Sequence, residues 1–262
     1  MKCFAFFLSL LVMVLPTHAQ FGLPSIPGIP TGPGDVDVVK VVKGTGDMIQ
    51  GASGIGDKEE QAIGGAVAVE IVARNGGIWK DVEATKRVAT IGRALARYSA
   101  RPEASFTFGI LKDTGINGYS APGGYVFITK GLYEAVKDDQ ELAGILAHEI
   151  THVTERHAVK VLSRNKFNKG ALQVASGAVG SGSPDAFDDL VDRGVQSMFN
   201  VGYDPDKEFY ADKIGHNLAS DAGFDRDGLA HFLKRLYETK KDESYAFSHH
   251  PPLKHRIERL EN

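Results

Sequence analysis

The residues that most constrain this chain are His148, Glu149 and His152. They lie in the stretch LAGILAHEITHVTERH, residues 142–157, where apolar residues recur with the period of a helix that packs one side against a core. Residues four apart on a helix differ by about 40° of rotation and one turn of rise, so His148 and His152 can point ring nitrogens at one metal ion. Glu149 is rotated by roughly 100° from His148 and can reach a water molecule on that ion. The pattern H-E-x-x-H predicts a metal site, and the alternative is a helix whose polar face carries two histidines.

The length and charge of the chain limit the number of domains it can form and the partners it can bind. The 262 residues suffice for one substantial domain, and no internal repeat or second block of composition indicates another. The net charge is −3, from 33 acidic and 30 basic residues mixed along the chain. Because no basic stripe is present that could neutralise phosphates, we expect no nucleic-acid partner.

The N-terminal segment has the pattern of a secretory signal peptide. Lys2 precedes an apolar run from Phe4 to Leu15 that is short for a membrane span, and polar and small residues follow it. We expect cleavage near Ala19, so that residues 1–19 direct export across the inner membrane to the periplasm or the exterior. The one cysteine, Cys3, lies in this segment, so the mature protein would have no disulfide. Peripheral association with a membrane and the oligomeric state both stay open.

Residues 20–56 form a leader rich in proline and glycine, which predicts extended chain. A flexible tether is the favoured interpretation, and a bound pro-segment is the alternative. From residue 57 onward the patterns change to alternating helical and strand periods. We therefore expect one α+β domain over residues 57–262, mainly helical with a small sheet.

The helical and strand patterns of this domain have clear boundaries. Helical patterns begin at Asp57 and Asp81, and strand patterns cover Ser105–Asp113 and residues 117–131, where Pro-Gly-Gly predicts a turn. After the H-E-x-x-H helix, a glycine-rich segment predicts a mobile loop at residues 168–185, and three helical patterns follow it at residues 186–199, 206–222 and 226–240. The H-E-x-x-H helix itself is predicted to start with a capping box at Asp138 and Glu141.

A catalytic zinc usually takes three protein ligands, so a third ligand is needed beyond the two histidines. The metzincin pattern is excluded because Glu155 and Ala158 stand where it requires glycine and histidine. His157 is rotated away from the face of the histidine pair, and we interpret it as structural. The stretch EFYADKIG offers Glu208 as a ligand and Asp212, one turn later, as a hydrogen-bond acceptor that supports a ligating histidine. The alternative is that both carboxylates decorate a solvated helix face.

Four stretches in order make the pattern more specific: NGYSAPGGYVFITKGL, HEITH, EFYAD and SHHPPLKHR. Together they resemble the M48 family of metallopeptidases, which are gluzincins, from about Asp57 to the C-terminus. The resemblance implies a zincin-like α+β fold in which the edge strand of the sheet lies above the metal-binding helix. It also implies one Zn²⁺ per chain on His148, His152 and Glu208, with Glu149 as general base. Gly118 departs from many relatives, which carry alanine there, and the C-terminal helical-repeat domain of some relatives has no counterpart.

The function that follows is zinc-dependent hydrolysis of peptide bonds. Zinc activates a water molecule and polarises the scissile carbonyl, while Glu149 moves the proton to the leaving amine. An extended substrate can pair its main chain with the edge formed by Asn117, Gly118, Tyr119 and Ser120, which suits unfolded or misfolded proteins and a role in quality control of the cell envelope. The alternative is a non-proteolytic chaperone or assembly factor, against which the intact Glu149 argues. A purely structural zinc site is disfavoured because the mature chain has no cysteine.

The stretch SHHPPLKHR places His249 and His250 before two prolines. Taken alone, this stretch predicts an irregular segment that precedes a helix. The resemblance instead suggests that His250 reaches the zinc face. There, a neutral imidazole could fill the open zinc position as part of a removable lid, or a protonated one could stabilise the oxyanion. We favour the lid.

Overall fold

The computed structural model of the protein describes residues 56–164, 192, 195–196, 202–240 and 250–261. The predicted signal peptide, nearly all of the predicted leader and the glycine-rich segment at 168–185 lie outside these residues. Of the helix predicted at 186–199, only residues 192, 195 and 196 are described. Those predictions stay predictions.

Helices make up most of the described chain. Their bounds are α1 (Asp57–Arg74), α2 (Val82–Ala96), α3 (Lys130–Ala135), α4 (Asp139–Thr154), α5 (His157–Arg164), α6 (Pro205–Asp221), α7 (Gly228–Lys240) and α8 (Leu253–Leu260). The helices predicted from Asp57, Asp81 and residues 206 and 226 are confirmed to within two residues. Within the described residues, no helix is both long and apolar enough to cross a membrane.

The helix α4 carries H-E-x-x-H and begins as predicted, with Asp138 as its N-cap. One carboxylate oxygen of Asp138 accepts hydrogen bonds from the backbone N–H groups of Gln140 and Glu141, both at 3.1 Å. The Glu141 carboxylate accepts from the N–H of Lys137 at 2.7 Å and also binds Arg235 on α7. The cap therefore fixes where α4 starts and ties that start to a second helix.

The sheet has three strands, β1 (Thr107–Leu111), β2 (Gly118–Ala121) and β3 (Tyr125–Thr129), in the order β1-β3-β2. Strand β3 pairs in parallel with β1 and antiparallel with β2. The turn at residues 122–124 joins β2 to β3, and Gly123 and Gly124 both have positive φ there, at 74° and 96°. Strand β2 is an edge strand of this sheet. A mainly helical chain with one small sheet confirms the predicted α+β fold.

The helix α4 lies at the centre of the molecule. It packs against α2, α6, α7 and strand β2, and every residue from Glu141 to Val153 is buried. The sequence predicted burial of one side only. The other side is also buried because α6 covers it, so the interpretation of H-E-x-x-H as a solvated polar face is wrong.

Candidate metal centre

Helix α4 brings His148 and His152 together on one face. Both side chains are 2% exposed, and their Nε2 atoms lie 3.1 Å apart. This is the geometry expected of residues four apart on a helix. At this distance the two nitrogens can share one N–H or, with both lone pairs free, bind one metal ion between them.

Helix α6 supplies the carboxylate that completes the cluster. Glu208 is fully buried, with Oε2 3.5 Å from His148 Nε2 and Oε1 3.5 Å from His152 Nε2. The close approach of the two helices depends on Gly215, because a Cβ there would lie 2.8 Å from the backbone nitrogen of His148. Since Glu208 is buried, it does not decorate a solvated helix face.

The donor atoms of His148, His152 and Glu208 fit one metal ion. They all lie within 4.8 Å of one another. Two imidazole nitrogens and a carboxylate are a ligand set of catalytic zinc, with metal–ligand bonds of about 2.0–2.2 Å. In addition, Glu208 Oε1 is buried without a hydrogen-bond partner among the described residues, which an ion would supply.

A carboxylate and an arginine stand behind His148. Its Nδ1 lies 2.8 Å from Asp212 Oδ1, and the Arg256 guanidinium binds both oxygens of Asp212 at 2.6 and 2.9 Å. Burial opposes the charged form of Asp212, but Arg256 outweighs it and holds the pKa of that carboxyl well below its usual range. Burial likewise opposes protonation of His148, but Asp212 and Glu208 raise its pKa to about 9. The two carboxylates therefore favour positive charge at His148, whereas burial lowers the pKa of His152 well below its usual range.

His152 is backed by an imidazole and a phenol ring. The Nδ1 atoms of His152 and His157 lie 2.9 Å apart, and the Tyr203 ring stacks on His152 at 4.4 Å between centroids and 17° between planes. Burial lowers the pKa of His157 to about 4, so it is neutral at pH 7. His157 thus lies behind the cluster rather than in it, consistent with its interpretation as structural.

Glu149 faces the edge strand. It is 2% exposed, and its Oε1 has no hydrogen-bond partner among the described residues. Burial raises the pKa of the Glu149 carboxyl. A Cβ at Gly118 would lie 2.4 Å from that same oxygen, so glycine, where many relatives carry alanine, leaves room for the Glu149 carboxylate.

The predicted substrate strand and the cluster share one groove. Its lining includes the following residues: Ile71, Asn117, Gly118, Tyr119, Ser120, Glu149, His152, Tyr203, Glu208 and His250. Asn117 is held in place by its N–H, which donates to Thr129 Oγ1 at 3.1 Å, while its side-chain oxygen accepts from the N–H of Gly118 at 3.0 Å. The described residues thus place the edge strand beside Glu149.

His250 also comes to the cluster. Its Nδ1 contacts Glu208 Oε2, and its ring centroid lies 5.4 Å from that of His148. With His148 and Glu149 it forms a second group of donor atoms within 4.8 Å of one another. His249 lies outside the described residues. The interpretation of His250 as a mere lead-in to α8 does not account for these contacts.

Sequence reasoning missed the roles of Arg256 and Tyr203. A signal for Arg256 existed, because Leu253, Ile257 and Leu260 form the apolar side of α8 and Arg256 lies on that same side. An arginine on a buried helix face calls for a buried acidic partner. Tyr203, two residues before the start of α6, has no comparable signal in the sequence.

Comparison with known proteins gives the following matches. Residues 83–262 match the family described as peptidase family M48. The beta-barrel assembly-enhancing protease of Escherichia coli O157:H7 is 27% identical over 177 residues, which are 64% of this chain and 34% of that protein. The mitochondrial metalloendopeptidase OMA1 of Schizosaccharomyces pombe is 26% identical over 184 residues, 68% of this chain and 52% of that protein.

A third relative is nearer in length. The metalloprotease YcaL of Escherichia coli strain K12 is 24% identical over 210 residues, which are 80% of this chain and 81% of that protein. By contrast, the chain spans only about a third of the length of the beta-barrel assembly-enhancing protease.

Proposed function

The chain belongs to peptidase family M48, and on that premise we propose that it is a zinc-dependent endopeptidase that cleaves unfolded or misfolded proteins. The observation that carries the proposal is the buried cluster of His148, His152 and Glu208, with Glu149 between it and the edge strand. Two histidines and a glutamate are a ligand set of catalytic zinc, which keeps its fourth position open for water or substrate.

In this proposal His148, His152 and Glu208 hold one zinc ion per chain. When bound, zinc supplies Lewis acidity and makes water a nucleophile near neutral pH. Asp212 accepts the Nδ1–H of His148, which leaves the Nε2 lone pair free for the metal and raises its basicity. Arg256 keeps Asp212 charged and oriented, because it binds both carboxylate oxygens.

Glu149 is the general base. Its Oε1 has no hydrogen-bond partner among the described residues, and the side chain lines the groove. Burial raises the pKa of the carboxyl, which makes it a better proton acceptor. It takes the proton of the attacking water and delivers it to the leaving amine nitrogen. Glu149 is adjacent to a proposed ligand, but its side chain points to strand β2, as the contact with Gly118 indicates.

The edge of β2 is the proposed substrate site. Residues Gly118–Ala121 pair with β3 on one side, so the other side of the strand can accept an extended peptide. Main-chain pairing requires extended chain but no particular sequence. That supports unfolded proteins as the class of substrate.

The cell envelope is the proposed location. The pattern of residues 1–19 and the similarity to a beta-barrel assembly-enhancing protease both support it. The chain spans about a third of the length of that relative, so the similarity supports a location and no particular partner. A non-proteolytic chaperone remains the alternative, and no contact in the described residues favours it over a peptidase.

The proposed function is tested by degradation of reduced casein. We expect the secreted chain to cleave casein, a chelator to abolish cleavage, and added zinc to restore it. A chain that contains zinc, binds casein and leaves it intact would instead be the chaperone.

A further inference from the structure

Helix α1 precedes residues 83–262, the part of the sequence that matches peptidase family M48. It nevertheless packs on the turn at residues 122–124, which follows the edge strand β2. The contact is backbone against backbone. A Cβ at Gly64 would lie 1.8 Å from the carbonyl oxygen of Pro122, and one at Gly123 would lie 2.7 Å from the Cα of Gln61. Such contact leaves the turn little freedom to move away from or toward α1.

Glu60, one turn before Gly64 on α1, joins three parts of the molecule. It is 1% exposed, and its carboxylate accepts from the N–H of Gly123 at 3.2 Å and from Arg101 at 3.1 Å. It also forms an ion pair with Arg156 Nε at 2.9 Å. Arg156 follows the C-terminus of α4 and has a positive φ of 55°. Glu60 thus connects α1 with the turn after the substrate strand and with the end of the metal-binding helix.

Two turns beyond Gly64, the same helix reaches the groove. Ile71 is fully buried and lines the groove together with Tyr119 and Tyr203. Asn75, just past the end of α1, is buried and donates its side-chain N–H to the carbonyl of Ile71 at 2.7 Å. One face of α1 therefore runs from the turn at residues 122–124 to the wall of the groove.

We propose that α1 is a positioning element of the active site, through which Glu60 and Gly64 fix strand β2 relative to Glu149. The inference rests on the proposed function, since it concerns the strand that receives substrate. Strand β2 is short and paired on one side, and its backbone at Gly118 lies so close to Glu149 that an added Cβ would be 2.4 Å from Oε1. A small shift of the turn would then move the strand edge that pairs with the peptide. That shift weakens the main-chain hydrogen bonds to the peptide and also moves the peptide away from the base, where misplacement by about 1 Å can cost on the order of 100-fold in rate.

A merely stabilising role for α1 is the competing explanation, and α1 contains matched pairs that separate the two. Gly64→Ala pushes α1 against Pro122, whereas Gly65→Ala makes the same change one residue away, where a Cβ meets only the Tyr125 hydroxyl at 3.4 Å. Glu60→Gln removes the buried charge, whereas Glu70→Gln removes a partly exposed pair with Arg74 on the same helix.

The experiment measures peptide binding to zinc-loaded chains that also carry Glu149→Gln, so that the peptide stays intact. The probe is a fluorescent peptide from reduced casein, compared with the same peptide N-methylated at every backbone amide of its central segment, which has no amide N–H on either edge to donate to a strand. We expect Gly64→Ala and Glu60→Gln to weaken binding of the plain peptide about tenfold at unchanged zinc content, as the loss of about one main-chain hydrogen bond would, and to leave the N-methylated peptide unaffected. Gly65→Ala and Glu70→Gln should bind both peptides as the parent does.

Unchanged binding of the plain peptide by Gly64→Ala and Glu60→Gln would overturn the inference. Loss of zinc in either variant would also overturn it, because α1 would then act on the metal cluster rather than on strand β2. Should Gly64→Ala fail to fold, Glu60→Gln carries the test, since it adds no atoms to the packed contact. If the Glu149→Gln parent binds no casein peptide and the chain with native Glu149 cleaves no casein, the proposed function is refuted instead.

Discussion

Replacing Arg256 by methionine should destabilise the chain strongly, although Arg256 carries a charge in a helix near the end of the sequence. The side chain is fully buried and binds both oxygens of Asp212 at 2.6 and 2.9 Å. Methionine fills similar space but leaves the Asp212 carboxylate buried without its cation. Removing one partner of a buried ion pair costs about 3–5 kcal/mol. Because Asp212 keeps its contact with His148, we expect the lower end, about 3 kcal/mol.

Urea unfolding at a fixed free zinc concentration measures this loss. The matched control is Lys234→Met, which removes an exposed pair with Glu261 and should cost no more than about 1 kcal/mol. The double variant Asp212→Asn with Arg256→Met should lose less than the sum of the two single variants, because neither member of the pair is left charged without the other. A loss for Arg256→Met as small as that of the control would refute this account of the ion pair.

Three further outcomes follow from the site. Asp212→Asn should weaken zinc binding by about 10 to 100-fold, measured by chelator competition, and an unchanged affinity would show that Asp212 does not support His148. His148→Ala, His152→Ala and Glu208→Ala should each lose bound zinc and casein cleavage, and tight zinc binding by one of them would exclude that residue as a ligand. His250→Ala should raise casein cleavage at constant zinc content if the residue acts as a lid, whereas a fall of about 100-fold or more would assign it to the oxyanion.

Much of the fold could be predicted because its signals are local. The N-cap at Asp138, the glycine turn at residues 122–124 and the helical period around His148 depend on residues a few positions apart. The spacing of His148 and His152 is set by helix geometry alone, so the pair could be predicted without a fold. Glu208 and Asp212 could be proposed for the same reason, since they lie one turn apart on α6.

The long-range partners could not be predicted in the same way. Which arginine meets Asp212, or which glutamate meets Gly123, depends on how helices pack, and these partners are 44 and 63 residues apart in sequence. A charged residue has the same local signal whether it faces water or a buried partner. Burial of α4 on both sides was missed for that reason: its polar residues look like a solvated face until α6 is placed over them.

Our central proposal is that Glu149 is the general base of proteolysis and is not a ligand of the neighbouring metal ion. The most direct measurement is casein cleavage by the native chain and by Glu149→Gln, with metal content determined on the same samples. The amide keeps the shape of the side chain and removes its basicity. We expect one zinc per chain in both proteins and a fall in cleavage of about 100 to 10,000-fold in the variant. Cleavage by Glu149→Gln at the native rate, or loss of its zinc, would contradict the claim.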